Sequence, residues 1–248
     1  MSNPIVPRDE REARMYLAAL HRLEEIYGWT HLIFNHATLR VPGEPQHFLV
    51  KPNHLLYDEI TASSLIKVDM DGKPVDLSVN LNPAGFAIHS AILRARPDIH
   101  CVMHVHTIEG MAMSSHPRGL LPLIQGAARF YNRISYHDWE GPSGHLDERE
   151  RMARSLGPHN KVMILRNHGL LAAGASAAEC FHKMEYLVDS CRVQLLLEAA
   201  VSDPLLPSPQ AAEAAARMLE RIDEQVLPSQ WDALLRKVER VSGKAFQA

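Results

Sequence analysis

Residues 101–110 read CVMHVHTIEG, an apolar run that contains two histidines one position apart. The run has the composition of a β-strand, in which the side chains at positions i and i+2 leave the same face. His104 and His106 are therefore expected to point in the same direction. Two neutral imidazoles on one face form half of a metal site or half of a catalytic pair, but histidines that are only hydrogen-bonded at the edge of a core give the same pattern.

A second apolar run, from Val162 to Leu165, is followed directly by the residues RNHG. The continuous run predicts a strand buried on both faces, and the polar residues mark its end. His168 is thus predicted at a strand terminus, where open α/β sheets commonly build functional sites. With His104 and His106 it supplies three nitrogen donors from two elements, the number that catalytic zinc sites use while one position stays open.

Helices and short strands alternate along the rest of the chain. Apolar residues at helical spacing predict helices over residues 8–27 and 83–96, a helix that ends at Gly157, and a long helix opened by the capping box of Ser176 and Glu179. The proline-rich segment 203–209 then precedes two predicted helices, 211–226 and 229–241. This order of elements indicates an α/β fold, a three-layer α/β/α domain around a mainly antiparallel or mixed sheet, with a C-terminal helical extension.

The composition excludes several classes of protein. The chain has 248 residues, of which 46% are hydrophobic, enough to bury a substantial core. Its 26 Lys and Arg and 29 Asp and Glu give a formal net charge of -3 without long blocks of one sign, so a nucleic-acid partner is not expected. No stretch approaches the roughly 20 apolar residues of a membrane span, so no membrane partner is expected either. Three cysteines without CxxC spacing, and a charged N-terminal segment, favour a reduced cytoplasmic protein.

Five stretches, GWTHLIFNHATLRVPG, LLYDEITASSLIKVD, NPAGFAIHSAILRARPD, CVMHVHT and ILRNHGLL, occur in this order and together resemble the class II aldolase and adducin head domain family. The resemblance predicts such a domain over residues 10–200, followed by the helical extension over residues 201–248. It implies a homotetramer of layered α/β/α subunits, with a divalent metal bound by His104, His106 and His168 near a subunit boundary. Zinc is the first expectation, although manganese and iron form similar sites.

The departures from the family concern the machinery around this metal. At the position of Gly85, the sugar-phosphate aldolases of the family carry a glutamate that serves as acid/base and metal neighbour. Their phosphate-binding serines fall here at Pro83 and Ala84, and their Thr-Gly pair falls at Asn53 and His54. A positioned acid or base contributes roughly 10²–10⁴-fold to such reactions, and glycine cannot supply it. The sequence thus predicts a retained metal site without the sugar-phosphate machinery.

Four further residues are candidates for the site. Asn35 matches a substrate contact of the family, and His137 is a second candidate for substrate binding because it lies in a predicted loop region. Tyr131, in the same region, and Glu109, three residues after His106, are candidate catalytic residues. Surface packing is the simpler explanation for Tyr131 and His137, and solvation is the simpler explanation for Glu109, so the sequence leaves the catalytic acid or base unassigned.

These observations predict a divalent-metal-dependent lyase, aldolase-like, a decarboxylase or a dehydratase, that acts on a small oxygenated carboxylate or sugar acid. The metal would stabilise an enediolate or carbanion. The alternative is a non-enzymatic, adducin-like head domain that binds other proteins, as adducins bind actin filaments and spectrin. The complete set of three histidines and the lack of a lysine-rich basic tail favour the enzyme.

Overall fold

The computed structural model describes residues 5–75, 84–141 and 146–248, with the backbone alone for 84–87 and 146–149. Seven α-helices are described: α1 (Glu10–Ile26), α2 (Ala84–Ala95), α3 (Ile108–Ser114), α4 (Gln125–Ala128), α5 (Leu146–Leu156), α6 (Ala177–Ala200) and α7 (Pro209–Ser242). Seven strands are described with them: β1 (His36–Arg40), β2 (His47–Val50), β3 (Ile66–Asp69), β4 (Cys101–Val105), β5 (Ile134–His137), β6 (Val162–Leu165) and β7 (Gly169–Gly174).

The seven strands form one mixed sheet in the order β3-β2-β1-β4-β7-β6-β5. Strands β5 and β6 pair in parallel, whereas the other neighbours pair antiparallel. Because successive side chains leave opposite faces of a strand, Met103 of β4 packs into one hydrophobic cluster and Val102 into another. The first cluster includes residues of α1, α6 and α7, and the second includes residues of α2 and α5. The predicted three-layer α/β/α fold is therefore confirmed.

Strands β5 and β7 and helix α3 are elements that the sequence pattern does not predict. The residues of β7, GLLAAG, follow β6 after a short turn. They are mostly small and include none of the β-branched side chains that are typical of strands, so the sequence does not indicate a strand here. Strand β5 is four residues long and lies within an irregular stretch. Short elements of this kind are decided by pairing with neighbours, which the local sequence does not encode.

The prediction of two separate C-terminal helices is wrong. Helix α7 runs without interruption from Pro209 to Ser242 and contains Pro228 in its interior. Proline removes one helical hydrogen bond and usually breaks a helix, but buried residues on both sides of it, Leu227 and Trp231, pack into the core and keep the chain helical. The division into residues 10–200 and 201–248 stays a prediction.

Within the described ranges, no helix combines the length and the apolar character that a membrane span requires. The three cysteines, Cys101, Cys180 and Cys191, are buried thiols that form no disulfide.

Candidate metal centre

The three histidines come from the end of β4 and from the turn between β6 and β7. His104 lies in β4, paired with His36 of β1 on one side and with Leu171 of β7 on the other. His106 follows one residue after the end of β4. His168 lies in the turn that joins Leu165 to Gly169, and β7 brings this turn beside the end of β4 because Val105 pairs with Leu170.

Helix α3 holds the β6–β7 turn in place. The backbone amide of Asn167 donates to the carbonyl of Ser114 at 3.1 Å, and its side-chain amide donates to the hydroxyl of Ser115 at 3.1 Å. Asn167 has a φ of 55°, a left-handed conformation that asparagine adopts more readily than most residues. The N-cap of α3 is Thr107, the residue directly after His106. One short helix therefore connects the two segments that carry the triad.

The three imidazoles converge on one point. Their potential ligand atoms lie within 4.8 Å of one another. The ring centres are 4.6 Å apart for His104 and His106, 4.7 Å for His104 and His168, and 4.8 Å for His106 and His168. The Nε2 atoms of His104 and His106 face each other at 2.8 Å. The sequence prediction that these rings meet is thus supported by their geometry.

The ring of His104 is fixed in one tautomer. Its Nδ1 lies 2.9 Å from the carbonyl oxygen of Leu170. Because a carbonyl oxygen only accepts hydrogen bonds, Nδ1 must carry the proton and Nε2 must present its lone pair. Histidines that bind metals commonly donate their second N–H to a backbone carbonyl in this way.

The electrostatics keep His104 and His106 in the neutral form that binds a metal. Burial, reinforced by the neighbouring His168 and His106, holds the pKa of His104 well below its ordinary value. Burial, followed by the proximity of His168 and His31, lowers the pKa of His106 to about 4. At neutral pH both rings are therefore uncharged, and each has one nitrogen with a free lone pair that a cation could bind.

Gly169 leaves the space that these two histidines occupy. A Cβ atom at this position would lie 2.6 Å from the carbonyl oxygen of Val105, 2.9 Å from Cδ2 of His106 and 3.4 Å from Cε1 of His104. Contacts this short cannot be accommodated without displacement of the strand end. The glycine after His168 is thus a requirement of the close approach between the two segments.

Residues 15–195 match the family described as Class II Aldolase and Adducin N-terminal domain. The chain belongs to this family. An aldolase II superfamily protein from Pseudomonas syringae is 39% identical, with a TM-score of 0.88 over 98% of each chain. An L-fuculose 1-phosphate aldolase from Glaciozyma antarctica PI12 is 29% identical, with a TM-score of 0.85 over 96% of this chain and 93% of that one. Alpha-adducin of Rattus norvegicus is 44% identical over 200 residues, 79% of this chain but 27% of the adducin.

Class II aldolases generally use a divalent metal, and the three nitrogen donors of this chain suit such an ion. Among the described residues, no carboxylate or thiolate joins the three histidines. Gly85 lies in the first turn of α2, whereas Pro83 lies outside the described residues. The donor set that this structure offers to a metal therefore consists of imidazoles.

Glu109 lies in the first turn of α3 but is committed to another partner. Its carboxylate forms an ion pair with Arg192 of α6 at 2.7 Å. Burial by itself raises the pKa of Glu109, but hydrogen bonds from the backbone and from Arg192 outweigh it and hold the pKa below its ordinary value. A carboxylate that is ionised and paired with a guanidinium is a poor proton donor at neutral pH, and its lowered pKa also makes it a weaker base, which argues against Glu109 as a replacement for the missing acid/base.

Tyr131 and His137 lie at opposite ends of β5. The parallel pairing places Ile134 beside Val162 and His137 beside Leu165. His137 therefore lies at the same end of the strands as the triad, and Tyr131, which precedes β5, lies toward the opposite end. His137 is buried, and its Nδ1 is 2.9 Å from the hydroxyl of Ser155 on α5. Within one chain, the structure brings neither residue into ring contact with the triad.

Asn35 lies beside the site, immediately before His36, the partner of His104 across the sheet. It is buried, adopts a φ of 72°, and donates from its side-chain amide to the carbonyl of Trp29 at 2.8 Å. Its Oδ1 is buried and accepts no hydrogen bond from the residues that the structure describes. A buried amide oxygen without a partner carries an energetic penalty that a bound donor would remove.

Sequence reasoning missed His31 and His36. The ring of His36 faces that of His89 at 5.9 Å, and burial, together with His89 and Lys51, holds the pKa of His36 well below its ordinary value. The ring of His31 lies edge-on to that of His106, with centres 5.8 Å apart. Both residues belong to the stretch GWTHLIFNH, and only the pairing of β1 with β4 brings that stretch to the triad.

Proposed function

We propose that His104, His106 and His168 bind one divalent cation, zinc in the first place and manganese or iron as alternatives, and that the protein is a metal-dependent lyase. The observation that carries this proposal is the convergence of three imidazoles, one of them oriented by the carbonyl of Leu170. A divalent ion bound there would polarise a carbonyl or carboxylate oxygen of a substrate. The substrate class is a small oxygenated carboxylate or sugar acid.

The chain's own residues favour decarboxylation, whose bond-breaking step removes no proton, over retro-aldol cleavage. A retro-aldol reaction needs a group that removes a hydroxyl proton, and the family position for that group is Gly85. Glu109 does not replace it, because its carboxylate is paired with Arg192. The unpartnered Oδ1 of Asn35 is suited to accept a hydrogen bond from a substrate hydroxyl. Tyr131 and His137 require a neighbouring subunit or a side-chain rearrangement to take part.

The metal content of the purified protein tests the centre. We expect about one divalent ion per chain, and we expect His104→Ala to lose it, because the remaining two donors are insufficient for a stable site. His159→Ala, at an exposed histidine outside the triad, is the matched control and should retain the ion. A wild-type chain that binds no divalent ion after reconstitution would refute the proposal.

Turnover then distinguishes the reaction. The reconstituted protein should release carbon dioxide or water from a member of a panel of hydroxy acids and sugar acids, and His104→Ala should not. Cleavage of sugar phosphates to two carbonyl fragments at a comparable rate would contradict the assignment to a reaction that needs no carboxylate base.

The second candidate is a non-enzymatic head domain that binds other proteins. The observation in its favour is the 44% identity to an alpha-adducin. An ion that is bound tightly, together with no turnover of any member of the panel, would favour this candidate.

We further propose that the protein is a cytoplasmic homotetramer. Three apolar side chains flank the site and are solvent-exposed in one chain, Leu32 by 70%, Phe34 by 54% and Ile108 by 80%. Exposed apolar groups next to a site are typical of a surface that a second subunit covers. Light scattering of the purified protein should give four times the mass of the chain, 27.8 kDa. The buried thiols agree with a reducing compartment.

A further inference from the structure

The segment 31–35 is an unusual turn beside the triad. The amide of Phe34 donates to the carbonyl of His31 at 2.9 Å, and the two residues form an isolated bridge. Leu32, the first central residue of the turn, has a φ of 53°, and Asn35 has a φ of 72°. Leucine is rare in the left-handed region, where such turns ordinarily place glycine, and residues held in these conformations concentrate at functional sites.

This turn presents His31 to His106. The two rings are 5.8 Å apart between centres and nearly perpendicular, at 85°. His31 is exposed, so the core does not enclose its side chain. The ring of Phe34 lies 6.5 Å away and is also exposed, so it does not enclose the imidazole.

The separation of the rings is compatible with a shared ion. With Zn–N bonds of about 2.0–2.1 Å, the centres of two imidazoles on one ion are separated by roughly 5 Å in tetrahedral geometry and by no more than about 6.3 Å. The rings of the triad lie 4.6 to 4.8 Å apart. The 5.8 Å between the ring centres of His31 and His106 exceeds these values but stays within the limit, so the two rings could share an ion if the exposed side chain of His31 turned toward it.

We propose that His31 is a fourth protein ligand of the divalent ion, an imidazole in place of the carboxylate that is absent at Gly85. This inference rests on the proposed metal centre and adds a residue from a third segment to it. Zinc expands readily from four to five ligands, so a substrate oxygen has access while His31 is bound. Because His31 stands on an exposed turn and not on a strand, it is also the ligand that a substrate displaces most easily.

The alternative is that His31 only packs against the ring of His106, and the variant His31→Phe separates the two roles. Phenylalanine keeps an aromatic ring of similar size at this position but has no nitrogen. His159→Ala serves again as the control, because His159 is exposed and follows α5, outside the triad. Circular dichroism establishes that each variant is folded.

The experiment is a crystal structure of the full chain loaded with zinc, combined with zinc affinities from competition with a chromophoric chelator. We expect a His31 nitrogen at bonding distance, about 2.0–2.1 Å, from the ion. We expect His31→Phe to raise the zinc Kd at least tenfold and His159→Ala to leave it within twofold.

Two outcomes overturn the inference. Zinc bound by three imidazoles with His31 out of reach, or a Kd for His31→Phe within twofold of the wild type, refutes the role of His31 and leaves the proposed function intact. A wild-type chain that binds no zinc refutes the metal centre itself. The two failures are therefore distinguishable by one titration.

Discussion

At the residue scale, the site depends on two close contacts of the histidine rings with strand β7. His104 is oriented by a carbonyl of β7, and Gly169 provides the space for the ring of His106. Both contacts join residues that are distant in sequence, and each constrains the position of a nitrogen donor. Small changes at these positions should therefore affect metal affinity more than they affect folding.

The variant Gly169→Ala tests this expectation. A Cβ atom 2.6 Å from the Val105 carbonyl and 2.9 Å from the ring of His106 must displace the imidazole, so we expect the zinc Kd to rise at least tenfold. Gly174→Ala is the matched control, because its Cβ would lie 2.9 Å from the backbone nitrogen of Cys180 at the other end of β7. Each substitution should lower the free energy of unfolding by about 1–3 kcal/mol. Equal zinc affinities for the two variants would contradict the prediction.

His89 provides a test of pH dependence away from the triad. It is fully buried, its Nδ1 lies 2.9 Å from the hydroxyl of Thr38, and burial, followed by the charge of His21, lowers its pKa to about 3. In the unfolded chain its pKa is about 6.5, so below pH 6.5 the unfolded state takes up a proton that the folded state excludes. The stability that neutral His89 supports is therefore present above pH 6.5 and is lost as the pH falls toward 3.

We expect the metal-free wild type to lose up to about 1.4 kcal/mol of stability per pH unit from this one residue over that interval. His89→Gln, which has no titrating group, should show a shallower decline of the free energy of unfolding in urea between pH 6 and pH 4. His159→Gln, at an exposed position, should follow the wild type. Parallel curves for wild type and His89→Gln would rule out this contribution.

At the element scale, two helices differ most from what their sequences indicate. Helix α3 has only seven residues, yet Thr107 caps its N-terminus. The carbonyl of Ser114, at its other end, accepts a hydrogen bond from the turn that carries His168. Helix α7 continues through Pro228 because its buried face packs on the core. In both helices, tertiary contacts outweigh the local preference.

Pro228→Ala should therefore stabilise the protein. Alanine restores the missing helical hydrogen bond and removes the clash of the proline ring with the preceding turn, so we expect the free energy of unfolding to rise by about 1–3 kcal/mol. Chemical denaturation in urea measures the change. Gln225→Ala, at an exposed position one turn earlier, should alter the stability by no more than a few tenths of a kcal/mol. A loss of stability in Pro228→Ala would show that the proline is required for the path of α7.

At the scale of the whole molecule, the C-terminal helix and the first helix share one core. Trp231 of α7 is 1% exposed, and its ring meets that of Tyr16 of α1 at 5.5 Å between centres. Leu17 of α1 and Phe181 of α6 belong to the same hydrophobic cluster. The chain after residue 200 is thus packed against the α/β layers over much of its length.

Trp231→Ala should reveal whether the predicted extension folds separately. Removal of this side chain should lower the free energy of unfolding by about 3–5 kcal/mol, and unfolding should remain a single transition because one core is affected. Trp139→Ala, at a tryptophan that is 59% exposed, is the control and should have little effect. Two separate transitions in calorimetry would instead show that residues 201–248 form an independent unit.

Local sequence signals were sufficient to predict the periodic elements and to identify the three imidazoles. Helix α1, the opening of α6 at Ser176 and the strands β4 and β6 follow from apolar spacing and capping residues, because such signals act over a few neighbouring positions. The same local signals identified His104, His106 and His168, since each lies next to a recognisable strand. The resemblance to the family came from these stretches as well.

The groups that surround those imidazoles are set by long-range contacts of the folded chain. The tautomer of His104 depends on Leu170, the space for His106 depends on Gly169, and the approach of His31 depends on the pairing of β1 with β4. Strand pairing brings such distant groups together. His104 and Leu170, for example, are separated by 66 positions in the sequence. The periodic pattern of an element indicates which of its faces is buried. It does not indicate which residue of another element contacts that face, because this partner is determined by the pairing of the strands.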